Sequence, residues 1–268
     1  MSVDVALATP GADQDIRVER QGAVSTITIN RPQRMNALTY DSMLVLGDVI
    51  ESESQHPEVR VLVLTGAGAA FSSGADLTPS VGEQSYSAEE GVRAANRIVT
   101  AILGAAVPVV ARVPGPAVGV GMPIALAADL VIASVDAYFL LAFTRIGLMP
   151  DGGASLLVTA SIGRARALRL ALRAERLPAG DAAAMGLIDR VVPSGELDAA
   201  VRQALDHFTD GPRKAFALTK HAINAASLDL LGAAMDREAQ GQSQLLQSND
   251  FLEGAAAMLQ KRTPRFTD

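Results

Sequence analysis

Two glycine-bearing turns in the sequence could offer unpaired backbone N–H groups to a ligand. One turn spans residues 73–76 (Ser-Gly-Ala-Asp), and the other spans residues 119–121 (Gly-Val-Gly) at the predicted start of a short apolar helix. The first amides of a helix lack partners within it, and the helix dipole favours negative charge there. If both turns direct amides at one oxygen, they form an oxyanion hole that stabilises an enolate. Glycine content alone also fits two tight turns without such a role, and by itself it favours that interpretation.

A carboxylic acid lies in a third turn, where Asp151 precedes two glycines and a predicted helix. One base suffices to move a proton from one carbon to another while an oxyanion hole holds the enolate. To act near neutral pH, this acid needs a raised pKa, which burial among Phe143, Leu148 and Met149 would produce. An Asp in this place is also an ordinary turn or N-cap residue.

The composition argues against several other kinds of chemistry. The chain has no cysteine, which removes thiol nucleophiles, thiolate metal ligands and disulfides, and which fits a cytoplasmic location. His56, His207 and His221 lack the spacing of paired metal ligands, so we expect no metal site. Both Gly-x-Gly turns lack the third glycine of the dinucleotide fingerprint, and we expect no nicotinamide or flavin cofactor.

Charge and hydropathy argue against two classes of partner. The net charge is −6 and the basic residues are scattered, so a nucleic-acid backbone would be repelled. Charged residues and prolines interrupt every apolar run before it reaches the roughly 18 residues that a membrane span requires. Residues 1–15 lack the pattern of a signal peptide and are predicted to be a flexible tail.

Alternating strands and helices are predicted to position these turns. A β-hairpin is expected over residues 16–30, and strands over residues 59–65 and 107–113 run directly into the two glycine-bearing turns. Strands alternate with helices over residues 16–194, and only helices are expected over residues 195–268. This order predicts an α/β core followed by a helical C-terminal region.

Four segments in order along the chain carry a resemblance that no single turn carries. They are residues 30–38 (Asn-Arg-Pro, then Met-Asn-Ala-Leu), 71–77 (Phe-Ser-Ser-Gly-Ala-Asp-Leu), 108–129 and 146–153 (Ile-Gly-Leu-Met-Pro-Asp-Gly-Gly). Together they resemble the enoyl-CoA hydratase/isomerase (crotonase) family, above all its ring-1,2-epoxyphenylacetyl-CoA isomerases and dienoyl-CoA isomerases. The resemblance implies a crotonase-type ββα spiral core with a C-terminal helical oligomerisation region, in a homotrimer or a dimer of trimers.

The resemblance also implies an acyl-CoA substrate and assigns residues to its site. It places the oxyanion hole at the backbone N–H groups of Ala75 and Val120. Coenzyme A is part of the substrate, and neither a metal nor a separate cofactor is implied. The residues assigned to coenzyme A binding are Arg34, Asn36, Ala37, Leu38, Ser73, Gly74, Asp76, Leu77, Gly119 and Gly121.

The chain departs from the hydratases of this family at two positions. Where those enzymes carry two glutamates that activate water and protonate the α-carbon, this chain has Pro123 and Phe143, which cannot exchange a proton. With Leu148, these residues are expected to line an apolar acyl pocket. Asp151 matches the position at which the two isomerase branches carry a catalytic aspartate. The resemblance therefore implies isomerisation of an unsaturated or ring-modified acyl-CoA with Asp151 as the base.

Two alternatives stay open at this point. A hydratase could recruit a carboxylate from elsewhere, for instance Glu83, Glu89 or Glu90 near a polar segment that could act as a lid. It would show a water-dependent loss of enoyl absorbance. The loss of both glutamates could instead mark a catalytically silent acyl-CoA-binding protein, which would bind thioesters tightly without proton exchange at the α- or γ-carbon.

Overall fold

Nine strands form two sheets in the part of the chain that the structure describes. The structure is a computed structural model, and it describes residues 12–77 and 86–268. The strands are β1 (Ile16–Gln21), β2 (Val24–Ile29), β3 (Val61–Gly66), β4 (Val109–Val113), β5 (Ala117–Val118), β6 (Leu130–Ser134), β7 (Tyr138–Leu140), β8 (Leu177–Pro178) and β9 (Arg190–Val192). Six of them form a sheet in the order β1-β2-β3-β4-β6-β9, and three form a sheet in the order β5-β7-β8.

Eleven α-helices surround these sheets within the described ranges. They are α1 (Ala12–Asp15), α2 (Tyr40–Gln55), α3 (Ala88–Leu103), α4 (Gly121–Leu126), α5 (Ala154–Ile162), α6 (Arg164–Arg173), α7 (Ala179–Ala184), α8 (Leu197–Asp210), α9 (Arg213–Ser227), α10 (Leu231–Leu245) and α11 (Asn249–Leu259). Short 3-10 helices occur at Pro32–Arg34, Phe143–Ile146 and Ser194–Glu196. None of the described helices is long and apolar enough to cross a membrane.

The larger sheet begins with the expected hairpin and continues with parallel strands. β1 and β2 pair antiparallel across Gly22, whose φ of +60° suits the tight turn. β2, β3, β4, β6 and β9 then pair in parallel. All six residues of β3 are buried, as is typical of a parallel strand covered on both faces. Apolar side chains of α2 and α3 cover one face of the sheet, and those of α8 cover the other.

The strand order brings two important loops to one edge of the sheet. β3 and β4 are parallel neighbours, so the chain leaves both strands at the same edge. The loop after β3 leads to Ser72, and the loop after β4 leads to β5, where Ser72 and Ala117 form an isolated parallel bridge. β5 pairs in parallel with β7, which adds the smaller sheet beside this junction.

The C-terminal helices pack against the core of their own chain. α9 is tied to it by the buried Lys220, whose Nζ donates to Ile102 O at 2.7 Å. α10 packs against α3 and α5, and α11 packs against the 3-10 helix Phe143–Ile146. Gly254 of α11 approaches so closely that an added Cβ would lie 2.5 Å from the Cα of Ile146. The oligomerisation role expected for residues 195–268 stays a prediction.

Two local expectations from the sequence were wrong. The flexible tail was expected to reach residue 15, but Ala12–Asp15 is helical, and Asp15 lies 3.3 Å from the Nε of Arg31. The remainder of that predicted tail, residues 1–11, lies outside the described residues. Helices were expected to the C-terminus, but the chain after residue 262 forms neither helix nor strand. Its last residue, Asp268, accepts from the Asn249 N–H at 2.8 Å and so satisfies an amide at the start of α11.

Candidate active site

The two glycine-bearing loops singled out in the sequence lie in direct contact. The Val118 N–H donates to Ser72 O at 2.9 Å, which joins the loop after β3 to β5. Gly74 has a φ of +91°, and an added Cβ there would lie 2.8 Å from Val118 O and 3.3 Å from the Val120 nitrogen. Only glycine permits both this backbone conformation and this close approach. The two loops therefore meet at Gly74 and Val120.

The backbone N–H groups of Ala75 and Val120 make no hydrogen bond within the described residues, although nearby N–H groups of both loops do. Directly before Val120, the Gly119 N–H donates to Leu140 O at 2.9 Å. The engaged amides around Ala75 are those of Ser73 (to Met35 O, 2.9 Å), Gly74 (to Ser72 Oγ, 3.1 Å) and Asp76 (to Leu38 O, 2.9 Å). Two free donors thus lie in loops that touch; an oxyanion hole would require both to point at one oxygen, and that role stays a prediction.

The turn that carries Asp151 packs against the loop that carries Val120. Gly152 and Gly153, with φ of +67° and +74°, turn the chain into α5. A Cβ added to Gly152 would lie 3.1 Å from Pro123 Cγ and 3.2 Å from Val120 Cγ2. The acid, one free amide and an apolar proline side chain therefore occupy neighbouring positions.

The two carboxylate oxygens of Asp151 differ in their surroundings. The side chain is buried, and its Oδ2 accepts from the Nε2 of Gln242 at 2.9 Å. Its Oδ1 is buried without any hydrogen-bond partner. Burial is the main cause that raises the pKa of Asp151; the hydrogen bond from Gln242 opposes it, the nearby Glu238 carboxylate adds to it, and the resulting pKa is about 7. This acid can therefore both accept and release a proton near neutral pH.

Sequence reasoning missed the two polar residues of α10 that surround this acid. Glu238 accepts from the Gly153 N–H at 2.7 Å and from the Ser155 N–H at 2.8 Å. These amides belong to the first turn of α5, whose N-cap residue is a glycine and cannot cap the helix itself. Glu238 and Gln242 are four residues apart and lie on one helix face, and that spacing was the only signal in the sequence.

Three apolar residues were expected to line an acyl pocket, and that role stays a prediction. Pro123, Phe143 and Leu148 are all buried. Pro123 lies in the first turn of α4, where a proline needs no hydrogen-bonded N–H. Among the described residues, the only charged group that shifts the pKa of Asp151 is Glu238. Neither Pro123 nor Phe143 can act as a second proton carrier, because neither side chain has an ionisable group.

Asn36 was predicted to bind coenzyme A, but its side chain is occupied by the protein. It is fully buried, and its Oδ1 accepts from the Arg31 N–H at 3.0 Å. Its Nδ2 donates to Ala67 O at 2.9 Å and to Ala70 O at 2.8 Å. The side chain therefore fixes the start of the loop after β3 and is not available to a ligand.

The other residues predicted to bind coenzyme A lie in the same two loops or beside them. Arg34 is exposed at the end of a 3-10 helix. Asp76 accepts from the Arg31 Nη1 at 2.9 Å, so it belongs to a salt bridge that holds the loop. Gly121 is needed for packing, since an added Cβ would lie 2.8 Å from Ser72 O. The rest of the set are Ala37 and Leu38, which are buried, and Ser73, Leu77 and Gly119, which are half-buried.

Comparison with known proteins gives consistent matches over nearly the whole chain. A family model described as enoyl-CoA hydratase/isomerase matches residues 19–268. A probable enoyl-CoA hydratase of Rhodobacter capsulatus is 42% identical over 253 residues, which cover 94% of this chain and 97% of that protein. A 1,2-epoxyphenylacetyl-CoA isomerase of Escherichia coli is 36% identical, with 91% of this chain and 95% of that protein covered.

The solved structures agree with this result. The crystal structure of an enoyl-CoA hydratase from Mycobacterium avium subsp. paratuberculosis is 49% identical in sequence and superimposes with a TM-score of 0.89. The match covers 95% of this chain and 99% of that one. A carnitinyl-CoA hydratase from Mycobacterium avium is 34% identical with a TM-score of 0.81.

Proposed function

Because the chain belongs to the enoyl-CoA hydratase/isomerase family, we propose that this enzyme isomerises an unsaturated or ring-modified acyl-CoA with Asp151 as its single base. The family assignment also confirms the crotonase-type fold expected from the sequence. The family assignment does not distinguish isomerisation from hydration, and the proposal specifies isomerisation, which is proton transfer without addition of water. It rests on the residues that surround Asp151.

In the proposed reaction, the amides of Ala75 and Val120 bind the thioester oxygen while Asp151 transfers one proton. The carboxylate removes a proton from the α-carbon of a 3-enoyl-CoA, between the carbonyl and the double bond. The electron pair of that C–H bond moves into a dienolate, whose negative charge lies on the thioester oxygen. The protonated acid then gives the proton to the γ-carbon, the double bond moves into conjugation with the carbonyl, and the carboxylate is regenerated.

The observation that carries the proposal is the buried Oδ1 of Asp151, which has no hydrogen-bond partner. Leaving a buried polar atom unpaired costs roughly 1 to 3 kcal/mol, so such an atom calls for a functional explanation. A substrate C–H group would face this oxygen in the proposed reaction. The pKa of about 7 supports the same role, because a base of that pKa exchanges protons readily at neutral pH.

A hydratase is the second candidate, since several relatives and solved structures carry that name. The chain offers little support for a second proton carrier. Glu89 and Glu90 lie on the surface at the start of α3, engaged by a salt bridge and a capping box. Glu83 lies outside the described residues. Glu238 is near Asp151, but both of its oxygens accept from backbone amides.

The test is to incubate the protein with 3-enoyl-CoA in deuterated water and to follow double-bond position and label uptake together. We expect the wild-type protein to form 2-enoyl-CoA, with deuterium at the γ-carbon only where the proton on Asp151 exchanges with solvent before it is returned. Asp151→Asn keeps the shape of the side chain but removes the base, and we expect isomerisation to fall by at least roughly 10²-fold. The control is Asp136→Asn, because Asp136 is exposed and remote in sequence from both loops.

Three results would decide between the candidates. Equal isomerisation by wild-type protein and Asp151→Asn would overturn the role of Asp151. Formation of 3-hydroxyacyl-CoA from 2-enoyl-CoA would favour the hydratase. Tight thioester binding with neither double-bond movement nor label uptake would identify a silent binding protein.

A further inference from the structure

Helix α10 reaches the turn around Asp151 through one glutamine that makes two hydrogen bonds. Gln242 is buried, and its Oε1 accepts from the Met149 N–H at 3.2 Å. Its Nε2 donates to the Oδ2 of Asp151 at 2.9 Å. One amide group therefore bridges a backbone N–H and a side-chain oxygen that lie two residues apart in the same turn.

These two bonds fix the orientation of the glutamine amide. A backbone N–H can only donate, so the group that faces Met149 must be the carbonyl oxygen of Gln242. The NH2 group then faces Asp151 and can only donate to it. Consequently Oδ2 of Asp151 is held as an acceptor, and Oδ1 is the oxygen on which a proton can be placed.

Close packing holds the helix against this turn. A Cβ added to Gly153 would lie 2.8 Å from Leu231 Cδ1 and 2.9 Å from Met235 Cε, both on α10. A Cβ added to Gly241 would lie 2.3 Å from the sulfur of Met149. Both ends of the turn are therefore packed against α10, and Gln242 has little freedom to move away.

We propose that Gln242 is a positioning residue for Asp151, which reserves Oδ1 as the single oxygen that takes a proton from the substrate and returns it. The proton transfer in this proposal rests on the proposed function. The position of Asp151 rests on the two hydrogen bonds of Gln242. Because one oxygen carries the proton both ways, the transfer takes place on one face of the acyl chain.

Few other charged groups face Asp151 from the elements packed around it. α4 and α5 contain no titratable residue. On α10, Asp236 and Arg237 are exposed, and only Glu238 is buried next to the turn. Glu238 is held by the first amides of α5, so it is expected to remain in place when Gln242 is changed.

The experiment uses pH-difference infrared spectra of the whole chain. The band of the protonated Asp151 carboxyl is assigned by its loss in Asp151→Asn. Gln242→Met keeps the length of the side chain and removes the donor, so the ionised carboxylate loses a hydrogen bond. We expect the pKa of Asp151 to rise by about one unit. Gln244→Met is the matched control, because Gln244 is exposed on the same helix, and it should leave the titration unchanged.

A second variant keeps the test valid if Gln242→Met does not fold. Gln242→Glu can still accept from Met149 but places a second carboxylate beside Asp151, and we expect a larger upward shift of the titration. The wild-type spectrum gives a readout without any variant, since the side-chain amide band of Gln242 should change as Asp151 titrates. For folded variants we expect kcat for 3-enoyl-CoA to fall by about tenfold or more with little change in KM.

The outcomes separate this proposal from the proposed function. If neither Gln242 variant moves the titration of Asp151, or if the glutamine band does not respond to pH, the positioning role is wrong. That conclusion would leave the base role of Asp151 intact, provided Asp151→Asn is inactive. If Asp151→Asn keeps full isomerase activity, the proposed function fails, while the infrared titration still decides whether Gln242 holds the carboxylate.

Discussion

At the scale of single residues, Asp151 is unusual because burial and its neighbours act on its acidity in opposite directions. Removal from water and the Glu238 carboxylate raise the pKa, and the Gln242 amide lowers it. The balance near 7 makes the charge of this side chain sensitive to pH where most aspartates are fully ionised. Both activity and stability should therefore depend on the protonation of this one group.

The first prediction concerns the pH dependence of catalysis. A base must be ionised to remove a proton, so kcat/KM for 3-enoyl-CoA should fall about tenfold per pH unit below the pKa of Asp151. We expect the bend of the profile near pH 7. Initial rates between pH 5 and pH 9 measure it, with a substrate that does not itself titrate. A profile that is flat down to pH 5 would contradict Asp151 as the base.

The second prediction concerns the pH dependence of stability. Burial raises the pKa of Asp151 from 3.8 to about 7, so the unfolded chain loses this proton first. The carboxyl therefore lowers the free energy of unfolding as the pH rises from about 4 to above 7. Asp151→Asn should be about 4 kcal/mol more stable than wild type at pH 8 and nearly equal to it at pH 4. Urea unfolding at both pH values measures the difference, and an equal effect at both would contradict the assigned pKa.

At the scale of elements, the turn between residues 147 and 153 joins three helices. Gly152 contacts the side chains of α4 and the loop before it, and Gly153 contacts α10. Glu238 of α10 caps α5, which begins at the end of this turn. The geometry of the acid therefore depends on how these helices pack and not on the turn alone.

The third prediction tests this packing with a single methyl group. Gly153→Ala places a Cβ within 3 Å of Leu231 and Met235 at a φ of +74°, so both strain and overpacking oppose it. We expect a loss of about 3 kcal/mol in the free energy of unfolding. Gly186→Ala is the control, since its φ is +79° but nothing lies within 4 Å of an added Cβ. It should cost only about 1 kcal/mol, and equal losses in denaturant unfolding would show that packing on α10 contributes nothing.

Local sequence signals were sufficient for most of the elements but not for the contacts between distant ones. The hairpin and the glycine turns follow from nearby residues, because alternation and turn chemistry act over a few positions. Gln242 lies 91 residues beyond Asp151, and no local pattern links the two. The engaged side chain of Asn36 was missed for a similar reason, since its partners at residues 67 and 70 become neighbours only in the folded chain.

At the scale of the whole molecule, an ion pair between the buried Lys220 and the partly exposed Asp129 ties α9 to the residue that precedes β6. The Nζ of Lys220 on α9 lies 2.8 Å from the Oδ2 of Asp129, which also accepts from the Val109 N–H at 2.7 Å. Burial lowers the pKa of Lys220 and raises that of Asp129, so pairing offsets part of a desolvation cost. A cavity of about 380 Å³ borders this pair and shares no residue with the candidate site.

The fourth prediction is that Lys220 and Asp129 contribute to the free energy of unfolding as a coupled pair. Lys220→Met leaves the Asp129 carboxylate largely buried without its cation, and we expect a loss of about 3 kcal/mol in the free energy of unfolding. Adding Asp129→Asn to the same chain should recover part of that loss. Lys214→Met, at an exposed position of the same helix, is the control and should change stability by less than about 0.5 kcal/mol. Additive losses in the double variant would contradict a coupled pair.

The dependence of Asp151 on α10 has a consequence for how the enzyme is made. A ribosome synthesises the acid about ninety residues before it synthesises Gln242. Until the later segment emerges and docks, the nascent chain carries an ordinary aspartate that stays ionised and weakly basic. The raised pKa arises only after α10 docks near the end of translation, so proteolytic removal of the last helices should abolish the proposed base function of Asp151 without altering the acid itself.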